Sequence, residues 1–300
     1  MIPVCYSTDH NFIMPVGVSM QSMLECSKDV EIEVFILQSE TVTDEDRKIL
    51  ISISHAFDTK INFISMGKTF NNGYEVRDIS YAAYFRLLIP WLIPQYDKLI
   101  YCDGDTVFCD SVKGLYDVEI GDNFVAALCP YKYDHTSFET YAPKLGIKPE
   151  NYFQTGVMVI NAKAQRDSNL VVAYREAVGN KYHYLDQDIL NIVCKGKVAD
   201  MSPRYNVIPS FYERTSFDDE YLEALKKPTI VHFAGAKPWN KFLTGWYRWW
   251  DVYRRSVFFD EKKEIKIVAN SINPSNKELI KLLIRRNLPL LYKIRQRFLN

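Results

Sequence analysis

The sequence predicts an α/β fold built on a largely parallel sheet flanked by helices. Three observations predict it. Short apolar runs alternate with helix-patterned stretches over the first half of the chain, the order expected of βαβ units. Runs such as "KLIYC" are apolar almost throughout, as in a strand buried on both faces. The 300 residues, 47% of them hydrophobic, also supply core enough for one α/β domain with appendages.

The elements follow in order. "IPVCYS" opens the chain as a strand, and 13–26 follows as a helix. "IEVFIL" is the second strand. "TVTDEDRKILISI" reads as a helix capped by Thr43, with Asp46 three residues on, a variant of the capping box. "INFISM" is a third strand, 79–88 a helix and "DKLIYCD" a fourth strand. "NFVAALC" (123–129), "TGVMVIN" (155–161) and "TIVHFAG" (229–235) add later strands, with helices over 168–179 and 186–195. Residues 131–150, polar and aromatic with two prolines, suit an ordered loop. Residues 1–260 read as one domain and 261–300 as a separate basic helical tail.

Composition bounds the function. Acidic and basic residues balance at 37 each, so no global field favours nucleic acid. The balance hides a basic end: Lys277 to Arg297 carries seven Lys or Arg against one acid, Glu278, a net of +6. The most apolar stretch, "LLIPWLIP", is short and broken by Pro90 and Pro94. "MIPVCYS" has no basic-then-apolar leader, and the six cysteines form no CxxC pair. Cys5, Cys102 and Cys129 read as buried free thiols, which points to a reducing cytoplasm.

"LIYCDGDTVFCD" puts Asp103 and Asp105 at the end of an apolar run. A carboxylate pair there is costly unless a cation sits with it. One intervening residue, Gly104, lets both side chains reach a common point, and open α/β sheets bind ligands at the carboxyl ends of strands. Hard oxygen ligands suit Mg²⁺ or Mn²⁺, which keep positions open for substrate phosphates. Acids at strand ends also cap helices and line turns, so the pair alone leaves two readings. "DGDTV" has a rival resemblance too, to the nucleophile motif of haloacid-dehalogenase-type phosphohydrolases. That motif normally follows the first strand, whereas about a hundred residues precede it here.

Four further clusters complete the pattern: "YSTDHNF" (6–12), "YFQTGVMVIN" (152–161), "YLDQDILN" (184–191) and "VHFAGAKPW" (231–239). With these in order, residues 2 to about 250 resemble glycosyltransferase family 8. These are retaining nucleotide-sugar transferases that include bacterial lipopolysaccharide galactosyl- and glucosyltransferases and glycogenin. The resemblance implies a GT-A fold. It implies that Asp103, Asp105 and His232 hold Mn²⁺, or Mg²⁺ as second choice, against the donor diphosphate. Imidazole, the softer ligand, favours Mn²⁺. Gly235 would allow close backbone approach, and Lys237 would place a positive charge on the leaving phosphate. Asp9 and Asn11 match the family's uridine-binding turn, with Tyr6, Ser7, Thr8 and Phe12 beside them. Arg86, Gly104, Gln154 and Thr155 match further donor-site positions. In "DQD", Asp186 would bind donor-sugar hydroxyls and Gln187 would lie beneath the anomeric carbon, with Asp188 closing the motif. Asp186, Gln187 and Lys237 form the implied catalytic set. Each residue also has a plain reading: turn former, surface arginine or helix N-terminal acid. Two features depart from the family. Gln154 stands where Asn is usual, and the Gly235–Lys237 loop is one residue shorter than in many members.

The implied reaction moves glucose or galactose from a UDP-sugar to an acceptor hydroxyl of a glycan or glycolipid, with retention. Retaining hydrolases use a carboxylate nucleophile, and no carboxylate matches that position, so a front-face route is favoured over a transient Gln187 adduct. A phosphohydrolase using Asp103, or a sugar-nucleotide-binding protein without turnover, are the competing readings. In the tail, Ser275 and Glu278 form a capping box, Leu279, Ile280, Leu283 and Ile284 share one face, and Pro289 separates a second short helix. Basic residues fill the remainder, so 277–300 reads as an interfacial helix on an anionic inner leaflet. Oligomeric state is open.

Overall fold

The computed structural model describes residues 1–70, 81–209, 218–240 and 246–271. Seven strands form the main sheet: β1 (Ile2–Thr8), β2 (Ile32–Gln38), β3 (Lys60–Ser65), β4 (Lys98–Cys102), β6 (Val125–Ala127), β7 (Val157–Asn161) and β8 (Val198–Asp200). Their order is β3-β2-β1-β4-β7-β6-β8. β1, β2, β3 and β4 are parallel, β7 is antiparallel to both β4 and β6, and β6 is parallel to β8. Only β7 therefore runs against the rest, which makes the sheet mixed and mainly parallel. β5 (Thr106–Phe108) and β9 (Ile230–His232) form a separate antiparallel pair. "TIVHFAG" was expected as a strand and is one, but outside the main sheet.

Strand alternation divides the core. Val4, Tyr6, Val34, Ile36, Ile100, Cys102, Val157 and Val159 face one side, where α1 (Ile13–Cys26) and α2 (Asp44–Ala56) cover them. Cys5, Phe35, Leu37, Leu99, Tyr101, Met158 and Ile160 face the other, under residues 81–88 and the helix Leu185–Val193. Both faces are covered, so most strands read as continuous apolar runs. The six cysteines are free thiols, with Cys5, Cys102 and Cys129 buried as expected.

Thr43 and Asp46 form the expected capping box, each side chain bonding the other's backbone N–H. Asp46 Oδ2 also lies 2.7 Å from His10 Nδ1, which ties the turn after β1 to the start of α2. The helix expected over 79–88 is present in its described part, Tyr81–Leu88, and is wound as a 3-10 helix. Over eight residues the apolar pattern does not separate 3.0 from 3.6 residues per turn. The segment 131–150, expected as an ordered loop, carries a single-turn α-helix at Tyr131–Asp134 and 3-10 helices at Ala142–Leu145 and Pro149–Asn151. The helix Glu261–Ser271 begins the C-terminal segment, and the tail predicted over 277–300 lies outside the described residues.

Candidate active site

Topology explains why distant motifs meet. Asp9 follows β1 and Asp103 follows β4, so both stand at the carboxyl edge of parallel neighbours. β7 is antiparallel to β4, with Cys102 opposite Val157, so its amino end delivers Gln154, Thr155 and Gly156 to that edge. Asp103 N donates to Gly156 O at 2.7 Å. β5 begins directly after Asp105 and pairs with β9, Thr106 opposite His232, which brings the histidine to the acid pair. Phe233 N donates to Asp105 O at 2.8 Å and locks that junction.

Asp103, Asp105 and His232 present ligand atoms all within 4.8 Å of one another. His232 Nε2 is 3.3 Å from Asp105 Oδ1 and 3.8 Å from Asp103 Oδ2. His232 Nδ1 is 2.9 Å from Asn206 Oδ1. With the Asn206 carbonyl assigned to that contact, Nδ1 carries a proton, and in the neutral ring the Nε2 lone pair would face the two carboxylates. Asp105 Oδ1 is accordingly buried without a hydrogen bond although a ring nitrogen is near. Three electron-rich atoms turned on one point fit a divalent cation, and two carboxylates with an imidazole are a suitable donor set. Burial pushes the Asp105 carboxyl up, but the Lys237 ammonium beside it holds it well below the usual range, so it is ionised. Lys237 Nζ pairs with Asp105 Oδ2 and also donates to Phe233 O at 3.2 Å.

Two glycines permit this packing. A Cβ on Gly156 would lie 2.2 Å from His232 Cε1 and 2.8 Å from Asp103 Oδ2. One on Gly104 would lie 2.6 Å from Val16 Cγ2, at the start of α1. Only a bare backbone fits either place.

Arg86 is buried rather than a surface charge. Its Nη2 is 2.8 Å from Asp103 Oδ1, its Nη1 donates to Thr155 O at 3.0 Å, and its guanidinium lies 4.5 Å from the centre of the Tyr101 ring. Its Nε donates to Ala83 O at 3.0 Å and stands the same distance from Asp186 Oδ2, so the link to Asp186 is Coulombic rather than an aligned hydrogen bond. Asp186 Oδ2 is left a buried acceptor with no donor. Burial drives the Asp186 carboxyl up to about 7, with Arg86 opposing and Asp103 adding to the rise. Gln187 is half-buried beside it, with Oε1 accepting from Thr155 N at 3.4 Å.

The turn after β1 is mixed. Asp9 Oδ1 accepts from Phe12 N at 3.1 Å and caps the turn, while Asn11 is exposed. Thr8 Oγ1 bonds Asp9 O at 3.0 Å. The Phe12 ring meets Trp239 edge-on at 5.7 Å, so the first and last motifs touch, with Gly235 in the loop between β9 and Trp239. The Tyr6 side chain points under α1, where Ser19 Oγ donates to its hydroxyl at 3.3 Å. Strand parity sends Tyr6 into the core and turns Ser7 to the other face, where its hydroxyl is buried. Gln154 is half-buried at the same edge, held through its backbone N–H to Leu128 O at 2.9 Å.

Sequence reasoning missed Asn206, Tyr101, Tyr141 and Tyr152. Asn206 precedes Val207, which bridges to Val231 of β9, so its place beside His232 is visible only from that pairing. Tyr101 Oη donates to Asp103 Oδ1 at 2.8 Å. An imidazole ligand depends on the group that orients its second nitrogen. Asn206→Ala is therefore expected to weaken Mn²⁺ binding about 10–100-fold, measured by isothermal titration. Unchanged affinity would remove Asn206 from the site.

The model of the family described as Glycosyl transferase family 8 matches residues 3–242. Lipopolysaccharide glucosyltransferase WaaO of Escherichia coli (strain K12) is 25% identical over 288 residues, covering 92% of this chain and 82% of that one. A putative glycosyltransferase of Haemophilus influenzae is 29% identical over 245 residues, 79% of this chain and 73% of its own. Among solved structures, the galactosyltransferase LgtC in complex with donor and acceptor sugar analogues aligns with a TM-score of 0.74 at 26% identity, over 88% of this chain and 100% of that one. The sheet order, the acid–acid–histidine cluster and a match across 3–242 agree, and the chain belongs to glycosyl transferase family 8, with a GT-A fold.

Proposed function

We propose that the protein transfers glucose or galactose from a UDP-sugar to an acceptor hydroxyl of lipopolysaccharide or another cell-surface glycan, with retention at the anomeric carbon. The observation that carries this reading is the buried, unbonded Asp105 Oδ1 facing the lone pair of His232 Nε2. Asp103, Asp105 and His232 would hold Mn²⁺ there, or Mg²⁺. Such an ion supplies Lewis-acid stabilisation of charge on the departing diphosphate. Lys237 adds a fixed charge beside it. Asp9 and Asn11 would receive the uridine, and the orphan acceptor of Asp186 suits a sugar hydroxyl donor.

In the reaction the bond from the anomeric carbon to the UDP oxygen breaks, and a bond to the acceptor oxygen forms on the same face. The acceptor proton passes to the leaving phosphate. Two features favour this front-face route over a covalent intermediate. Gln187 is a poor nucleophile, and Asp188 is buried with its oxygens already hydrogen-bonded. Thermal-shift screening of UDP-hexoses with and without Mn²⁺ tests the donor, since a ligand of the folded state raises stability by mass action. The product is expected to keep the donor's α configuration by proton NMR. A β linkage, or no stabilisation by any UDP-hexose, would exclude the reading.

The catalytic unit is taken as 1–260 and the basic tail as a membrane-docking segment on the cytoplasmic face. Val257, Phe259 and Ile265 are exposed where the chain approaches the tail, which supports that placement. No helix among the described residues is long and apolar enough to cross a membrane. Each basic residue near an anionic surface contributes about 1 kcal/mol. Truncation after Pro274 should release the enzyme from anionic vesicles and leave UDP-sugar hydrolysis nearly unchanged. A truncated protein that still sediments with vesicles would show that the tail does not dock.

A further inference from the structure

Asp188 is wholly buried, and its carboxylate takes three hydrogen bonds. Tyr152 Oη donates to Oδ1 at 2.5 Å, Tyr141 Oη to Oδ2 at 2.5 Å, and Tyr184 N to Oδ2 at 2.9 Å. Burial and the neighbouring Asp188 charge push both phenols far up, so both keep their protons and donate to the acid. Tyr152 Oη then has only lone pairs left to offer, and Gln187 Nε2 donates to it at 3.2 Å. The other end of the same amide accepts from Thr155 N. Reversing the amide would set NH₂ against an N–H and oxygen against a lone pair, two repulsive contacts in place of two hydrogen bonds. The orientation of Gln187 thus follows from an acid one tyrosine away. The backbone agrees. Leu185 has a φ of 48°, unfavourable for a leucine, and the Asp188 bond to Tyr184 N holds that bend just ahead of Asp186 and Gln187.

We propose that Asp188 and Tyr152 are positioning residues that hold the Gln187 amide in one of its two orientations for the transfer step. This rests on the transferase reading above. Neither residue touches the substrate; both act through Gln187.

The test is a double-mutant cycle of Tyr152→Phe and Asp188→Asn. In Asp188→Asn, an amide oxygen retained toward Tyr141 and Tyr184 puts Nδ2 against Tyr152. The phenol proton then turns toward Gln187 and favours the reversed amide. Each single variant is expected to lose about 10–100-fold in kcat, with the donor KM held within about twofold. The double variant should be no worse than the poorer single, because both break one relay. Additive losses, unchanged kcat, or a loss confined to KM would overturn the proposal. Asp188→Asn is nearly isosteric and carries the same test if Tyr152→Phe does not fold. A second readout needs no turnover: the side-chain NH₂ resonances of Gln187, identified by their loss in Gln187→Leu, should shift in Tyr152→Phe. Unshifted resonances would overturn the relay whatever the activity. Failure of the transferase reading shows separately, as wild-type protein inactive on every UDP-hexose.

Discussion

Asp105→Ala is expected to lower glycosyl transfer by at least about 10²–10³-fold and to abolish Mn²⁺-dependent stabilisation by UDP, with the fold intact. The size follows from what the carboxylate does. It is one of three converging candidate ligands and also the partner of Lys237, so on the proposed reading its loss removes a ligand and unseats the charge that would face the leaving phosphate. The fold should survive because Asp105 joins the β5–β9 pair through its backbone, which accepts from Phe233 N. Lys237 is 24% exposed and can turn its ammonium to water, so losing its partner costs little. Turnover of a UDP-hexose and melting with UDP, with and without Mn²⁺, read the two effects apart. Wild-type turnover in the variant would remove Asp105 from the metal site.

Much of this was legible because the elements carry strong local signals. The runs that became β1, β2 and β4 are apolar and short, and Thr43 with Asp46 announced α2. The 3-10 winding of 81–88 was not legible, because both helix types place apolar side chains on one face of so short a segment. The assignment of β9 to its own pair was hidden too. Ile230 and Val231 are as apolar as any core strand, and only the partner β5, equally short, distinguishes them.

At the site, motif order located the acids and the histidine, yet it could not sort side chains that share a motif. Tyr6 and Asp9 lie in one quoted stretch, but strand parity sends Tyr6 under α1 and the turn keeps Asp9 at the edge. In the same way "DQD" gave three polar residues with no hint that Asp188 faces two tyrosines from a different loop. Contacts between side chains far apart in sequence, Asn206 with His232 and Tyr152 with Gln187, have no local signature. They appear only once the strands are paired.

Arg86→Met should be the most destabilising change at the site, by about 3–5 kcal/mol. The guanidinium is buried between Asp103 and Asp186, and its three nitrogens reach Ala83 O, Thr155 O and both carboxylates. Removing it strands Asp186 in the interior without its counter-charge. Burial already lifts that carboxyl to about 7 with Arg86 opposing the rise, so in the variant it should be protonated at neutral pH. The sign of the pH dependence follows. A carboxyl whose folded pKa is raised binds a proton in the folded state that the unfolded chain gives up near pH 4, so its contribution to stability falls as pH climbs from there toward the folded pKa. Without Arg86 the decline should continue further into the alkaline range. Arg86→Lys keeps the charge but not the planar fork, and should recover only part of the loss. The decisive comparison is Arg86→Met with Asp186→Leu. Removing the stranded acid as well should restore much of the melting temperature, while transfer should stay lost on the proposed role of Asp186 in holding the donor sugar. If Arg86→Met instead melts with the wild type, the guanidinium is not the counter-ion that lets Asp186 stand beside Asp103.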